Sequence, residues 1–480
     1  MEREDLVKLV DEVQAYQCET QTLEVKAAHD GCPTRLYDTL SSFSNQDSGG
    51  IFLFGLDERQ NYQIVGVYDP QDLQHRVAEQ CKQMEPAVRP LFTVCDIDGK
   101  AVVSAEVPGM DVTQRPVYYS GKGRIKGSFI RVGEADEPMS DYEIYSYDAY
   151  HRRIRDDIRV AELADVSQLD AELLGRYITA AKENKPNTAK LTDDEILQLM
   201  GIVRDSKPTL AGVMCFSKYP QAAFPQLCIT AIVVPGIKMG GTGSEGERFI
   251  ANKRIEGTIQ EMLEEAIVFL QRNMRVRTII DDNGKRNDKT EYPVPALREA
   301  ILNALMHRDY SIYTEGTPVR IIMYNDRVEI VSEGGLYGRL TIDSLGQIHP
   351  DTRNQVLANI LEVLKIAENR YSGIPTIRDE MEAYGLPEPI FENRRGSFVL
   401  TLKNGEDMHV VQHVPARKEG KLLAFCATPR SREEIAAFLG LTQYYAMKNV
   451  VEPLVEAGQL ILSIPDKPKS RNQRYSAAPG

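Results

Sequence analysis

Four ionisable residues near the amino terminus have the types and spacing needed for chemistry on phosphate esters. Glu24 and Lys26 lie on a segment that alternates like a strand, so both side chains share one face. Glu19 precedes them closely, and Asp57 follows a second apolar segment. If Asp57 folds beside Glu24, several carboxylates converge on one pocket that can bind a divalent metal and activate water. The alternative from the residues alone is a solvated, charged edge.

A second set of candidate residues lies on a helix predicted over residues 295–307. Glu299 and Asn303 are four residues apart and therefore share a face of this helix. A carboxylate there can orient water, and an amide oxygen can bind Mg²⁺. The run His307-Arg308-Asp309 invites a protein-kinase interpretation, which fails because the required downstream asparagine and Asp-Phe-Gly motif are missing.

A third set is basic and lies near the carboxyl terminus. The pattern predicts a helix over residues 432–441, a second helix over 442–457, a strand over 458–464 and a return strand that opens at Tyr475. This order is typical of a winged helix-turn-helix, whose second helix enters the major groove of DNA. The cations expected to contact phosphates are Lys448, Lys467, Lys469, Arg471 and Arg474. A winged helix that contacts proteins is the alternative.

The composition excludes some classes of function. The chain has 480 residues and a formal net charge of −13, so a whole-chain basic surface for nucleic acid is absent and contacts must come from local patches. No apolar run approaches the roughly 18 residues needed to span a membrane, and the acidic start is unlike a signal peptide. The seven cysteines show no zinc-binding spacing, which favours free thiols and a cytoplasmic location.

Three domains are expected from a chain of this length. The first, over residues 1–150, is an α/β domain that positions the amino-terminal carboxylates. A connector, predicted as a basic helix over residues 150–159, leads into an α/β domain that ends near residue 408. The last domain, over residues 409–480, contains the basic hairpin.

The first constellation resembles the Schlafen/AlbA-type DNA-binding domain, over about residues 10–150. The motifs that carry the resemblance are Glu19-x4-Glu24-x-Lys26, Ser44-Asn45, Gly49-Gly50, Gly55-Leu56-Asp57 and the closing run over residues 127–133. The resemblance implies DNA-binding regulation, as in prokaryotic relatives, or RNA cleavage by three carboxylates, as in eukaryotic Schlafens. Glu19, Glu24 and Asp57 would then hold Mg²⁺ or Mn²⁺, with Lys26 near a phosphate.

The second constellation resembles the C-terminal part of RecG-like predicted transcriptional regulators, a degenerate relative of the GHKL ATPase fold. The motifs lie over about residues 190–403 and include residues 327–336, Arg353-Asn354 and Ser372-Gly373-Ile374. The resemblance implies an ATP pocket in which Asn303 holds Mg²⁺ and Glu299 positions water. The bordering glycines are Gly334, Gly335 and Gly373. Ser332 and Glu333 replace the adenine-reading aspartate, so weak or no hydrolysis is expected.

The sequence therefore predicts an α+β protein with an AlbA/Schlafen-like domain, a GHKL-like α/β sandwich and a winged helix. The leading hypothesis is a DNA-binding, transcription-regulating protein. The alternative is a metal-dependent nuclease acting on RNA or DNA, in phage defence, and a third hypothesis is an ATP-driven switch. Nucleic acid is the expected partner, no membrane contact is expected, and analogy favours a homo-oligomer.

Overall fold

A computed structural model describes two compact units of the chain, residues 1–403 and 404–480. The described residues are 1–241, 246–280, 286–348, 351–367, 372–394, 396–405, 422–423, 425–439, 447, 451, 454–455, 459–464 and 473–478. None of the helices in these ranges is long and apolar enough to cross a membrane. The fold is mixed α+β, as predicted.

The first part of the large unit is a four-stranded mixed sheet with helices on both faces. Its helices are α1 (Arg3–Tyr16), α2 (Tyr37–Ser44), α3 (Pro70–Lys82), α4 (Gly123–Gly127) and α5 (Asp141–His151). Its strands are β1 (Leu23–Lys26), β2 (Gly50–Phe54), β3 (Leu56–Asp57), β4 (Gln63–Ile64), β5 (Met84–Glu85), β6 (Leu91–Ile97), β7 (Lys100–Val107), β8 (Tyr118–Tyr119), β9 (Phe129–Val132) and β10 (Ala135–Pro138). The main sheet has the order β1-β2-β7-β6, with β1 parallel to β2.

Alternation along β1 decides which face of the sheet receives the charged side chains. Leu23 and Val25 join a core formed with α1. Glu24 and Lys26 therefore point to the opposite face. Glu24 pairs with Phe52 of β2, whose ring packs against Phe43 of α2. The carboxylates predicted to do chemistry are thus placed beside α2.

The motif residues Asn45 and Gly50 have structural roles. The Nδ2 atom of Asn45 donates hydrogen bonds to the carbonyl oxygens of Val117, at 2.9 Å, and Phe129, at 3.0 Å. A Cβ atom at Gly50 would overlap the ring of Phe43. These residues join α2 to the closing strands and hold the face on which Glu24 lies.

The connector differs from the sequence prediction. The predicted helix over residues 150–159 is wrong, because α5 ends at His151 and only a single 3₁₀ turn, Asp156–Ile158, follows. Ser140 starts α5 with a capping box, in which its Oγ accepts the Glu143 N–H at 3.3 Å. The Ser-x-x-Glu spacing was the available sequence signal for this start.

The middle of the chain contains a six-stranded sheet and two separate pairs of strands. Its helices are α6 (Ala171–Asn184), α7 (Asp193–Leu199), α8 (Leu210–Phe216), α9 (Ile259–Asn273), α10 (Val294–His307), α11 (Gln355–Val363) and α12 (Gly373–Ala383). Its strands are β11 (Val203–Arg204), β12 (Lys207–Pro208), β13 (Ile229–Val233), β14 (Ala251–Ile255), β15 (Val276–Ile280), β16 (Arg286–Thr290), β17 (Val319–Met323), β18 (Arg327–Glu333), β19 (Ile390–Arg394) and β20 (Ser397–Lys403). The six-stranded sheet has the order β14-β13-β17-β18-β20-β19, while β11 pairs with β12 and β15 pairs with β16. Helix α10 packs between β18 and α12, which positions Glu299 and Asn303. The helix predicted over residues 295–307 is confirmed, and β17 and β18 form an antiparallel hairpin.

The second unit contains a small three-stranded antiparallel sheet. Its described elements are β21 (Arg430–Ser431), α13 (Arg432–Leu439), β22 (Leu460–Leu462) and β23 (Arg474–Ala477). The strand order is β21-β23-β22, and Leu422, Ile435, Leu460 and Tyr475 pack in its core. Most of the helix predicted over residues 442–457 lies outside the described residues.

Candidate functional sites

Three of the four predicted amino-terminal residues come together beside β1. The Lys26 Nζ and Glu24 Oε1 form an ion pair. The Oε1 atom of Glu19 accepts the Val25 N–H at 2.7 Å, which draws the Glu19 carboxylate back towards the strand. The side chains of Glu19 and Glu24 are only 12% and 10% exposed, so both carboxylates lie in a sheltered position.

Arg131 of β9 supplies the positive charge at the centre of this cluster. Its guanidinium lies 2.8 Å from Glu24 Oε2, 3.0 Å from Asp136 Oδ1 and 3.8 Å from Glu19 Oε2. The Arg131 side chain is 1% exposed, and its guanidinium lies over the ring of Phe43. A protein cation thus occupies the middle of the carboxylates. Sequence reasoning missed Arg131. The available signal was its position two residues after Phe129 in a short strand, which places both side chains on the same face.

The Glu19 carboxyl has an unusual affinity for protons. Burial, which disfavours the charged form, raises the pKa of Glu19 to about 7. The Val25 N–H opposes this shift, and the negative charge of Glu24 adds to it. Glu19 therefore changes its charge near neutral pH.

Asp57 does not complete a metal site. Its Oδ1 accepts the Arg59 N–H at 3.0 Å, and its Oδ2 accepts Gln60 Nε2 at 2.7 Å, so the carboxylate caps its own 3₁₀ turn. In the ranges that the structure describes, no group of three or more His, Cys, Asp or Glu side chains is arranged to hold a metal ion. The structure does not bring Asp57 to Glu19 and Glu24 as predicted, because the Asp57 carboxylate caps its own turn. Arg131 pairs closely with Glu24 alone of these three carboxylates.

The predicted nucleotide-binding residues do come together. All of them line one cavity of about 180 Å³ between α10, the end of β18 and the start of α12. They are Glu299, Asn303, Gly334, Gly335 and Gly373. The rest of the lining is mainly apolar, and its polar part includes Ser332, Tyr337, Asp351 and Arg353.

Glycine keeps this cavity open at two points. A Cβ atom at Gly373 would overlap Glu299 Oε1 and lie 2.9 Å from Asn303 Nδ2. Gly334 has φ +90°, and a Cβ there would lie 2.6 Å from the Cβ of Asp309. Within the cavity wall, Asn303 Nδ2 donates to Glu299 Oε1 at 3.2 Å. This uses the donor end of the amide, so the amide oxygen is the end that a cation would bind.

A buried ion pair supports the cavity from behind. Arg353 Nη1 lies 2.5 Å from Asp309 Oδ2, and the two side chains are 9% and 2% exposed. Burial, with the nearby Arg353 charge, lowers the pKa of His307 to about 4, so this cavity-lining imidazole is neutral at pH 7. Glu333, at the position next to the missing adenine-reading aspartate, instead accepts a hydrogen bond from Ser397 at 3.2 Å.

Helix α5 contacts both the cavity wall and the first domain. Tyr150 donates to Asp351 Oδ2 at 3.1 Å, and Tyr142 donates to Asp309 Oδ2 at 2.9 Å. On the other side, Asp148 pairs with Arg124 at 2.9 Å. Sequence reasoning did not identify these contacts, since their partners are distant in the chain.

Most of the predicted DNA-contacting cations cannot be placed. Lys448, Lys467, Lys469 and Arg471 lie outside the described residues. Arg474 begins β23 with its side chain 56% exposed, and its Nη1 lies 3.9 Å from Glu434 Oε2. The same Nη1 donates to the Pro429 carbonyl oxygen at 3.4 Å, and the DNA contact of Arg474 stays a prediction.

Comparisons with known proteins confirm both sequence resemblances. Residues 19–140 match the family described as "Schlafen, AlbA_2". Residues 316–402 match "Putative ATP-dependent DNA helicase recG C-terminal", a segment that includes Gly334, Gly335 and Gly373 but begins after Glu299 and Asn303. Residues 148–230 match a domain of unknown function. The large unit thus combines a Schlafen AlbA-type domain with a RecG-type ATPase-like domain. These matched segments end before the winged helix, which stays a prediction.

Two solved structures are similar to parts or all of the chain. The DIP2311 protein of Corynebacterium diphtheriae is 18% identical, with 99% of this chain and 97% of that chain covered and a TM-score of 0.39. The N-terminal domain of a RecG-related protein of Nitrosomonas europaea is 28% identical, covers 28% of this chain and 93% of its own length, and has a TM-score of 0.23. No curated protein matches the chain.

Proposed function

We propose that this chain is a nucleic-acid-binding regulator of transcription that contacts DNA through its second unit. The observation that carries the proposal is the strand order β21-β23-β22, with α13 following β21 directly. In a winged helix, a short strand precedes the helix-turn-helix and pairs with the last strand of the wing, as β21 pairs with β23 here. The Schlafen AlbA_2 match supports the same class of partner.

An electrophoretic shift assay with the full chain on pooled duplex DNA and structured RNA tests this proposal. The double variant Lys467→Ala/Lys469→Ala should weaken binding to all sequences alike and reduce the salt slope by roughly 1–2. The matched control is Lys8→Ala/Lys190→Ala, which removes the same charge from exposed positions elsewhere. Equal affinity and slope in both variants would assign the second unit to protein contacts.

We also propose that the cavity of the ATPase-like domain binds a nucleotide with Mg²⁺ and turns it over slowly or not at all. The chemistry of the lining suits this ligand, because a carboxylate and an amide, those of Glu299 and Asn303, lie beside Gly373, where a larger residue would close the space. Asn303 would hold the cation and Glu299 would position water, while the bound nucleotide supplies the phosphoryl group. Slow turnover is expected because Ser332 and Glu333 stand where the resemblance places the adenine-reading aspartate, and the Glu333 carboxylate accepts a hydrogen bond from Ser397. Calorimetric titration with Mg-ATP and a non-hydrolysable analogue tests binding, and robust hydrolysis lost in Glu299→Ala would contradict slow turnover.

A second candidate function, nucleic-acid cleavage, is favoured by one observation on the first domain. The Glu19 carboxyl has its pKa near neutrality and lies in the cluster that contains Lys26. A carboxyl of this kind can accept or donate a proton at neutral pH. The metal-dependent form of the reaction would need carboxylates beyond those that now surround Arg131. A cleavage assay on RNA and DNA, with and without Mn²⁺, should show products that disappear in Glu19→Gln if this function is present.

A further inference from the structure

One surface of the first domain has a charge opposite to that of the whole chain. The run Gly121-Lys122-Gly123-Arg124-Ile125-Lys126-Gly127 contains three cations and no acid, in a chain of net charge −13. Lys122 and Lys126 are exposed, and Ile125 between them is 67% exposed. We call these seven residues the basic segment.

The basic segment keeps a positive charge after its ion pairs are counted. Lys122 Nζ lies 3.2 Å from Asp38 Oδ1, and Arg35 Nη2 lies 2.5 Å from the other oxygen of the same carboxylate. Two cations therefore share one anion. Arg124 is neutralised by Asp148 at 2.9 Å, while Lys126 projects into solvent on the same short helix. The patch presents an excess of positive charge.

Aromatic side chains fix the basic segment in place. The rings of Tyr37 and Tyr119 stack with their centroids 3.8 Å apart. A Cβ atom at Gly127 would lie 2.6 Å from the Tyr119 carbonyl oxygen, so the segment approaches this strand more closely than a larger residue allows. The cations are thus presented from a supported backbone, beside two rings. Cations next to aromatic rings are the usual combination in surfaces that bind single-stranded nucleic acid.

We propose that the basic segment, together with Arg35, binds the sugar-phosphate backbone of a nucleic acid. This inference rests on the proposed nucleic-acid-binding function and adds a contact surface in the first domain to the one in the second unit. Lys122, Lys126 and Arg35 contact phosphates, and Ile125 packs against a sugar or base. One exposed isoleucine is too little apolar surface for a membrane, and phosphates match the excess of positive charge.

The test uses the full chain, a fluorescent single-stranded oligonucleotide and a duplex of the same sequence. Lys122→Ala/Lys126→Ala should weaken binding roughly tenfold near physiological salt and reduce the salt slope by about 1–2. Lys126→Glu, which changes only an exposed side chain, should weaken binding while leaving the thermal unfolding temperature unchanged. Lys8→Ala/Lys190→Ala is the charge-matched control and should bind like the wild type. Photo-crosslinking of an iodouridine oligonucleotide should label the peptide that contains the basic segment.

The outcomes separate this inference from the function on which it rests. Wild-type binding with unchanged affinity and slope in both basic-segment variants would overturn the inference and leave the proposed function standing. No wild-type binding to any nucleic acid would overturn both. Binding of the wild type to anionic phosphatidylserine vesicles, lost in Lys126→Glu while oligonucleotide binding persists, would assign the surface to lipid and overturn the inference.

Discussion

The carboxylate cluster of the first domain and the cavity of the ATPase-like domain differ in what occupies the space between their polar side chains. In the first, Arg131 lies among Glu19, Glu24 and Asp136 and fills the space between them. In the second, Gly334 and Gly373 have no side chains, and the space between α10 and α12 is open. One set of converging polar residues is closed by the protein itself, and the other is left for a ligand.

The difference shows what a pattern of charged residues can and cannot predict. Carboxylates brought together in a sheltered position need a positive charge, since their mutual repulsion is costly. The pattern of Glu19 and Glu24 predicts that need but not the group that meets it. Here the cation comes from β9, and Arg131 Nη2 also bonds the carbonyl oxygen of Leu23, 108 residues away in the chain.

The largest expected effect comes from breaking the closed cluster. Arg131→Met removes the buried cation that Glu24 and Asp136 share and leaves Lys26 as the remaining cation at Glu24, so the free energy of unfolding should fall by about 3–5 kcal/mol. Chemical denaturation of the full chain measures this change. Arg59→Met, at an exposed position, is the control and should change stability little. A loss below about 1 kcal/mol for Arg131→Met would mean that Arg131 is not the neutralising group.

The second effect comes from closing the open cavity. Gly373→Ala places a methyl group against Glu299 Oε1, so Mg-ATP binding should weaken by about 1–3 kcal/mol, which is roughly 5-fold to 150-fold. Gly175→Ala is the control, because a Cβ atom at this position in α6 meets nothing within 4 Å. It should leave binding unchanged. Equal nucleotide affinity for both variants, measured by titration calorimetry, would place the ligand elsewhere.

A third, smaller effect concerns pH. The pKa of Glu19 rises from an ordinary carboxyl value to about 7 on folding, so the folded chain binds more protons than the unfolded chain between about pH 4.5 and 7. Stability contributed by Glu19 is therefore present at low pH and is lost as the pH rises through 7. Glu19→Gln removes this dependence and should be on the order of 1 kcal/mol more stable than the wild type at pH 8, relative to pH 5.

Urea denaturation at pH 5 and pH 8 measures this difference. Glu183→Gln, at an exposed position in α6, serves as the control and should follow the wild-type profile. Parallel profiles for the wild type and Glu19→Gln would show that Glu19 titrates normally.

The smallest expected effect sharpens the comparison at the cavity wall. Tyr150→Phe removes the hydrogen bond to Asp351 and should cost about 0.5–1.5 kcal/mol of stability. Because Asp351 lines the cavity, the variant should also change nucleotide affinity. Tyr145→Phe removes a comparable bond, to Asp156 at 2.7 Å, away from the cavity lining and should change stability alone. Equal nucleotide affinities in the two variants would exclude a role for Tyr150 at the cavity.

Local pattern predicts the elements well. Helical spacing in α1 and α10, and alternation in β1 and the β17–β18 hairpin, are short-range signals, and the structure follows them. Spacing alone predicts only that Glu299 and Asn303 share a helix face, and the family resemblance implies the pocket and its glycines, which line one cavity in the structure.

Local sequence patterns do not predict contacts between segments that are distant in the chain. Arg131 pairs with residues of another strand, and the residues bonded by Tyr142 and Tyr150 lie far along the chain. Asp57 shows the converse case. Its spacing matches the family motif and predicts a metal ligand, but in the structure its carboxylate caps a turn. The predicted connector helix is wrong because the capping pair of Ser140 and Glu143 starts the helix earlier, and the helix ends at His151.

Helix α5 has a thermodynamic consequence. It is bonded at Asp148 to the segment that carries Lys126 and at Tyr150 to the wall of the cavity. If occupancy of the cavity changes the position of α5, it changes the affinity of the first domain for its own ligand by some factor. Equilibrium then requires that ligand to change nucleotide affinity by the same factor, because coupling free energy is reciprocal. Under this coupling, the occupancy of the nucleic-acid site would depend on nucleotide concentration even without hydrolysis. Each ligand would act as an allosteric effector of the other.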